Sequence, residues 1–251
     1  MQSDSSDEEP EQLQCKVILL GDGAVGKTSV ALRLTEDHFA TQYKQTIGLD
    51  FFMKRLVLPG SLRGTAFVAS VLRLMSPYAG DIHVAMQVWD IGGQSIGSKM
   101  ISNYIYGAQV VLLLYDITDY QTFQNLEDWY RLVRRTYGHK ALPYVALVGN
   151  KSATGSVDCI VLHMICGCLC FAADLNHMRN VKLEKHNGFA DENDMYSYFV
   201  SAKTGDNVNA AFHRIAAEWA GVVMTKTELE VCRPVCTPCM AHVTVRMQLA
   251  R

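Results

Sequence analysis

The sequence has no excess of charge of either sign: 23 Lys and Arg stand against 25 Asp and Glu, a formal net charge of −2. The basic surplus that accompanies general nucleic-acid binding is missing, so no nucleic-acid partner is expected. No apolar run reaches the ~20 residues that a membrane-spanning helix needs. The 15-residue run Cys159–Ala173 reads instead as a buried or interfacial segment. The opening stretch Gln2–Gln12 is polar and acidic, so no secretory leader is expected. Without one, the eight cysteines are not expected to form a disulfide framework. Cys166, Cys168 and Cys170 with His163 are zinc-type ligands, at a spacing poor for a structural site. Wholesale disorder is excluded, because 49% of the residues are hydrophobic.

What is present is an alternation of short apolar strands and amphipathic helices. Cys15–Leu20 is an apolar run ending at glycine, the pattern of a buried strand. Ser29–Leu34 reads as a helix, Leu49–Leu58 and Met86–Trp89 as strands, and Val110–Tyr115 as a strand covered on both faces. Thr122–Tyr137 carries Phe123, Leu126, Trp129, Tyr130 and Val133 at helical spacing. Tyr144–Val148 and Tyr198–Val200 read as strands, and Asn207–Val222 as a closing amphipathic helix. The alternation predicts an α/β fold with a mostly parallel sheet flanked by helices. Two segments interrupt it, one from Arg63 to about Ile82 and one from Ser152 to Ala173.

The strongest chemical signal is Gly21-Asp22-Gly23-Ala24-Val25-Gly26-Lys27-Thr28, followed by Ser29. It matches the P-loop pattern in full, between a strand and a helix. Glycines let the backbone wrap a phosphate chain and turn successive N–H groups inward. The helix N-terminus favours anions. Lys27 can reach β- and γ-phosphates, and the Thr28 hydroxyl can ligate Mg²⁺.

Further motifs follow in order: Tyr43-Lys44-Gln45-Thr46-Ile47-Gly48-Leu49-Asp50-Phe51, then Trp89-Asp90-Ile91-Gly92-Gly93-Gln94, then Asn150-Lys151, then Ser201-Ala202-Lys203. Together with the P-loop they resemble the Ras superfamily of small GTPases. The Ile47–Phe51 stretch and Leu114–Thr118 are similar to the Rab family, and Trp89–Gln94 resembles a divergent Rab branch. The resemblance covers residues 14–62, 83–151 and 174–224. It implies a six-stranded small G domain at 14–224 with insertions at about 63–82 and 152–173 and a flexible tail at 225–251; the acidic residues 1–13 read as a disordered arm. Without arm, inserts and tail, roughly 169 residues remain, a single-domain length.

The resemblance also implies roles. Thr28, Thr46 and Asp90 would hold Mg²⁺, Thr46 only when a γ-phosphate is present. The Gly93 N–H would sense that phosphate and Gln94 would orient the attacking water. Gly23 would matter by its smallness, a side chain there crowding Gln94. Phe39 and Tyr43 would pack on the guanine side and over the phosphates. Asn150, Lys151, Ser201, Ala202 and Lys203 would complete the GTP/GDP site. Loss of the γ-phosphate would release Thr46 and Gly93 together, an order-to-disorder switch read by an exchange factor, a GTPase-activating protein and effectors. Intrinsic turnover would be slow, since no arginine is evident in cis, and a partner's arginine could add on the order of 10³–10⁵ in rate. A monomer acting in vesicle or ciliary membrane traffic is implied, cytoplasmic or peripheral to intracellular membranes or the cilium base.

Two departures from the family pattern stand out. The family reads Asn-Lys-x-Asp, but position 153 is Ala153, and the next match is Asp174 after the insertion. Either the insertion loops out and returns Asp174 to the base, or Asp158 or no residue takes that place; loop-closure entropy rises slowly enough to permit the first. Both insertions interrupt otherwise continuous motifs, as an altered splice product would. The alternative function is therefore a nucleotide-weak interaction module without effective GTPase activity; a further one is a P-loop enzyme with relaxed base choice, hydrolysing ATP as well as GTP. The chain also closes on Met247-Gln248-Leu249-Ala250-Arg251 without a prenylation motif, and Cys232, Cys236 and Cys239 lie inside the tail. A mainly soluble form is expected on that ground.

Overall fold

A computed structural model describes residues 12–58, 81–151 and 178–222. Residues 1–11 of the acidic arm, the bulk of both insertions, Asp158, Asp174, the His163 cysteine cluster and the tail cysteines lie outside these described residues; Gln12 and Leu13, expected in the arm, instead open the first strand, where they pair with His83 and Val84.

Six strands form one sheet in the order β2-β3-β1-β4-β5-β6. They are β1 (Gln12–Leu20), β2 (Leu49–Leu58), β3 (Ile82–Ile91), β4 (Val110–Asp116), β5 (Tyr144–Asn150) and β6 (Tyr196–Phe199). All neighbours run parallel except β2, which pairs antiparallel with β3. The helices are α1 (Lys27–Glu36), α2 (Ile101–Ile105), α3 (Tyr120–Gln124), α4 (Leu126–Tyr137), α5 (Leu183–Glu192) and α6 (Val208–Ala220).

The period of two along β1 divides the core into two layers. Val17 and Leu19 point to one side, packing with Val30 and Leu34 of α1 and Phe212 and Ile215 of α6. Ile18 and Leu20 point to the other, packing with Leu126, Trp129 and Val133 of α4. Every residue of β4 is buried, which is why its sequence is a continuous apolar run rather than an alternating one.

Several elements differ from the sequence reading. The strand expected at Met86–Trp89 extends over Ile82–Ile91, because β2 pairs with it from Leu49 opposite Ile91 to Leu58 opposite Ile82. Ile82 thus belongs to the ladder, not to the segment that precedes it. The first helix begins at Lys27, two residues before Ser29, on a left-handed Gly26. The single helix expected over Thr122–Tyr137 is two helices meeting at Asn125. Asp119 caps the first, its carboxylate accepting from the Gln121 N–H. The Asn125 side chain turns away to donate to Asp22 Oδ2 at 2.6 Å. Helix α5 and the short α2 were not anticipated; α5 buries only His186 and Ala190, too few positions for a clear periodic signal.

Candidate nucleotide site

The parallel strands all present their carboxyl ends at one edge of the sheet, the edge where α/β folds place ligands. The loop Gly21–Gly26 leaves β1 there, and a cleft of about 680 Å³ opens above it. Its lining includes Gly23, Ala24, Gly26, Lys27, Thr28, Ser29, Phe39, Tyr43, Thr46, Gly93, Gln94, Asn150, Lys151, Ser201, Ala202 and Lys203. Residues separated by more than 170 positions therefore share one wall. Gly21 and Val25 face elsewhere. The Gly21 carbonyl accepts from Lys27, and the Val25 side chain is buried in the core while its carbonyl accepts from Asn150.

The loop geometry explains its glycines where backbone approaches are tight. Gly26 has φ +96°, and a Cβ there would lie 2.3 Å from Asn150 Nδ2. Gly93 has no room either: its Cβ would lie 2.2 Å from the Gly23 nitrogen. With Gln94 turned to the Thr46 carbonyl, 2.9 Å from its Nε2, a Cβ on Gly23 meets nothing within 4 Å. The steric constraint rests on Gly93, which must approach the loop backbone.

Lys27 is buried and donates to the carbonyls of Gly21 at 2.7 Å and Asp22 at 2.6 Å. Burial pulls its ammonium down to about 8, against the opposing fields of Asp90 and Asp22. Asp90 is fully buried. Burial pushes its carboxyl above the usual range, while the hydroxyls of Thr28 and Thr46 and the charge of Lys27 hold it down. Thr28 Oγ1 donates to Asp90 Oδ2 and lies 2.9 Å from Thr46 Oγ1, which is itself 3.3 Å from Asp90 Oδ2. Asp90 Oδ1 is buried without a hydrogen-bond partner. A buried acceptor of this kind beside two hydroxyls is an all-oxygen set that suits a hard divalent cation.

The two segments carrying Thr46 and Gly93 touch. The Gly92 N–H donates to the Gly48 carbonyl at 3.0 Å, and Gln94 bridges to Thr46 as above. Residues 38–48 form no regular helix or strand, so few backbone bonds oppose a rearrangement there. Tyr43 is 70% exposed, whereas Phe39 is partly buried against the core. No arginine lines the cleft among the described residues.

On the far side Asn150 is 2% exposed. It donates to the Val25 carbonyl at 2.8 Å and accepts from the Ala202 N–H at 3.2 Å, joining the phosphate loop to the Ser201–Lys203 loop. Sequence reasoning missed the residues that hold these loops from behind. Arg33 of α1 donates to the carbonyls of Ala202 at 3.0 Å and Lys203 at 2.8 Å. Asn125 and the Trp129 indole N–H both hold the Asp22 carboxylate. Their only sequence trace is a polar residue or a tryptophan at a helical position, which solvent exposure or core packing explains equally well.

The Ras family's sequence pattern matches residues 16–220. The chain is 36% identical over 225 residues to the Ras-related protein Rab-28 of Caenorhabditis elegans, an alignment spanning 89% of this chain and 74% of that protein. It is 30% identical over 203 residues to the GTP-binding protein ypt2 of Schizosaccharomyces pombe, spanning 81% and 80%. It is 27% identical over 203 residues to the Ras-related protein Rab-13 of Rattus norvegicus, spanning 81% and 78%. A loop of the P-loop pattern at the carboxyl edge of a mostly parallel sheet, and these likenesses, lead to one assignment: the chain belongs to the Ras family and is a Rab-family small GTPase.

Proposed function

We propose that this chain is a GTP/GDP-binding switch that holds Mg²⁺, hydrolyses GTP slowly and acts in membrane traffic. The observation that carries the reading is the convergence of Thr28, Thr46 and Asp90 within one hydrogen-bonded cluster at the phosphate loop. Mg²⁺ bound by those oxygens would neutralise phosphate charge. The N–H groups of the loop and the N-terminus of α1 would receive phosphate oxygens. Gln94 would exchange its Thr46 carbonyl for a water in line with the phosphorus. With no arginine lining the cleft among the described residues, turnover by the chain alone would be slow.

Thr46 and Gly93 would respond together to the γ-phosphate, because Gly92 and Gln94 already bind the Gly48 and Thr46 backbone. Partners would read the result on the adjoining surface. There Phe51 and Ile47 are exposed and Phe51 packs edge-on to Trp89 at 6.0 Å. Such partners are an exchange factor, an activating protein and effectors. We place the protein as a monomer at the periphery of intracellular membranes, vesicular or at the cilium base. No described helix is long and apolar enough to cross a membrane.

Asp174 is the proposed acceptor for guanine. A second reading is favoured by the insertion itself: with Ala153 where the family has aspartate, the chain becomes a nucleotide-weak interaction module. Binding of a fluorescent GDP analogue in Mg²⁺ separates the two. The full chain is compared with a version lacking 152–172, which leaves Asn150-Lys151-Ala173-Asp174. Tight, GTP-competable binding by both supports the switch. Binding by the shortened version alone supports the second reading.

A further inference from the structure

The turn that leaves β4 touches both flanks of the second insertion. Asp116 closes β4 directly opposite Asn150 of β5, and the Ile117 N–H donates to the Asn150 carbonyl at 3.2 Å. Past Asn150 the chain turns sharply. Lys151 has φ +69°, a left-handed conformation that non-glycine residues rarely adopt. The conformation brings the Lys151 side chain back across the strand ends, where its ammonium donates to Asp116 Oδ2. The other Asp116 oxygen accepts from the Thr118 N–H at 2.9 Å and the Thr118 hydroxyl at 2.7 Å. On the returning side the Asn180 and Val181 N–H groups donate to the Ile117 carbonyl at 2.9 and 3.1 Å, and Asn180 Nδ2 donates to the Thr118 carbonyl.

We infer that Asp116 is a positioning residue for nucleotide binding: it fixes Lys151 as a wall of the cleft at the point where the family motif is broken. The inference rests on the nucleotide reading above and deepens it. In the uninterrupted motif, the residues after the lysine would continue directly to the aspartate and help hold its backbone. Here the 22 residues 152–173 follow instead, and among the described residues Lys151 is held by Asp116 of the neighbouring strand. Asp116 is suited to this. It is almost wholly buried, its second oxygen is locked by Thr118, and a carboxylate so placed strongly favours a charged partner. Lys151 is a third exposed along its side chain, so without that partner its ammonium can be satisfied by water and its stem is free to leave the cleft.

The test uses the full chain and a fluorescent GDP analogue in Mg²⁺. Release rates and thermal midpoints are compared for wild type, Asp116→Asn, Lys151→Met and the double variant. Asparagine keeps an oxygen for Thr118 but offers no charge to Lys151. D116N is expected to speed release about tenfold, K151M to do the same, and the double variant to be no faster than either. Asp116→Glu, which restores the charge, is expected to recover part of the loss. Release by D116N at the wild-type rate overturns the inference. So do effects of D116N and K151M that multiply, or a fallen midpoint with unchanged release. Should D116N not fold, Thr118→Val loosens the same carboxylate without touching Lys151 and must speed release by a smaller factor; an unchanged rate overturns the inference. If wild type itself fails to bind the analogue, the nucleotide reading is overturned, and this inference with it.

Discussion

Asn150 offers a prediction whose size follows from its surroundings. Its side chain donates to the Val25 carbonyl at 2.8 Å and accepts from the Ala202 N–H at 3.2 Å, and water has almost no access to it. Asn150→Ala removes both bonds and leaves a buried carbonyl and a buried N–H unmatched. Each bond contributes about 1 kcal/mol net and each orphaned group costs about 1–3 kcal/mol. Partial relaxation of the two loops offsets some of this, so the expected loss is about 2–4 kcal/mol. That is a large share of the roughly 5–15 kcal/mol by which a domain is stable. At about 2–4 °C per kcal/mol for a chain of this size, the thermal midpoint should fall by roughly 5–15 °C. Urea denaturation of wild type and N150A measures the loss directly, and nucleotide release measured alongside should quicken, since two walls of the cleft are no longer joined. Asn150→Asp is the companion variant. It still accepts from Ala202 but sets a carboxylate against the Val25 carbonyl, and should be at least as harmful as alanine. A loss below about 1 kcal/mol for N150A would show that the two loops are held by other contacts, and the reasoning would be wrong.

Gly93→Ala should slow or abolish the γ-phosphate-dependent change in the switch segments, because its methyl meets the Gly23 nitrogen at 2.2 Å; tryptophan fluorescence of Trp89 on exchange of GDP for GTP reads it, and a normal response refutes the steric argument. Gln94→Leu should leave GTP binding intact and cut single-turnover hydrolysis by roughly 10²-fold, measured as phosphate release. Gly23→Ala should be milder on binding than Gly93→Ala, since its Cβ meets no atom; the ratio of their nucleotide affinities checks this. His186 is fully buried, with the Tyr115 hydroxyl 2.8 Å from its Nδ1, and burial lowers its pKa from 6.5 to about 4. The unfolded chain therefore binds the proton more readily between those values. His186 contributes stability that is fully present above about pH 6.5 and lost as the pH falls toward 4, by up to about 3 kcal/mol. Urea midpoints across that range should show this slope, and His186→Gln should flatten it.

The legible parts of the site were those whose chemistry is local. The P-loop is contiguous, and its strand and helix flank it within a few residues, so Gly21–Thr28 could be read directly. Thr46, Asp90 and Gln94 were readable because their motifs are short and ordered along the chain. The partners that stabilise these motifs were not readable. Arg33 binds the carbonyls of residues about 170 positions away, and a backbone carbonyl has no sequence identity to search for. Asn125 looks like a mid-helix residue, yet its side chain holds Asp22. The constraint on Gly93 has the same origin: a motif names a small residue, but only the packing shows that its Cβ would meet the backbone of another loop.

By itself the sequence determined the local pattern of this protein: a glycine-rich loop between a strand and a helix, strands buried enough to form a two-sided sheet, and an Asn150-Lys151 pair followed by Ala153 rather than aspartate. Those properties depend on residue type and short spacing, which folding does not alter. The tertiary structure decided which distant groups meet. It places Thr28, Thr46 and Asp90 in one hydrogen-bonded cluster, and sets Asn150 between two loops that belong to opposite ends of the chain. It also gives Lys151 a partner on β4 where its own segment departs. The reason is geometric: strand order in the sheet, not order in the chain, determines which carboxyl ends lie side by side.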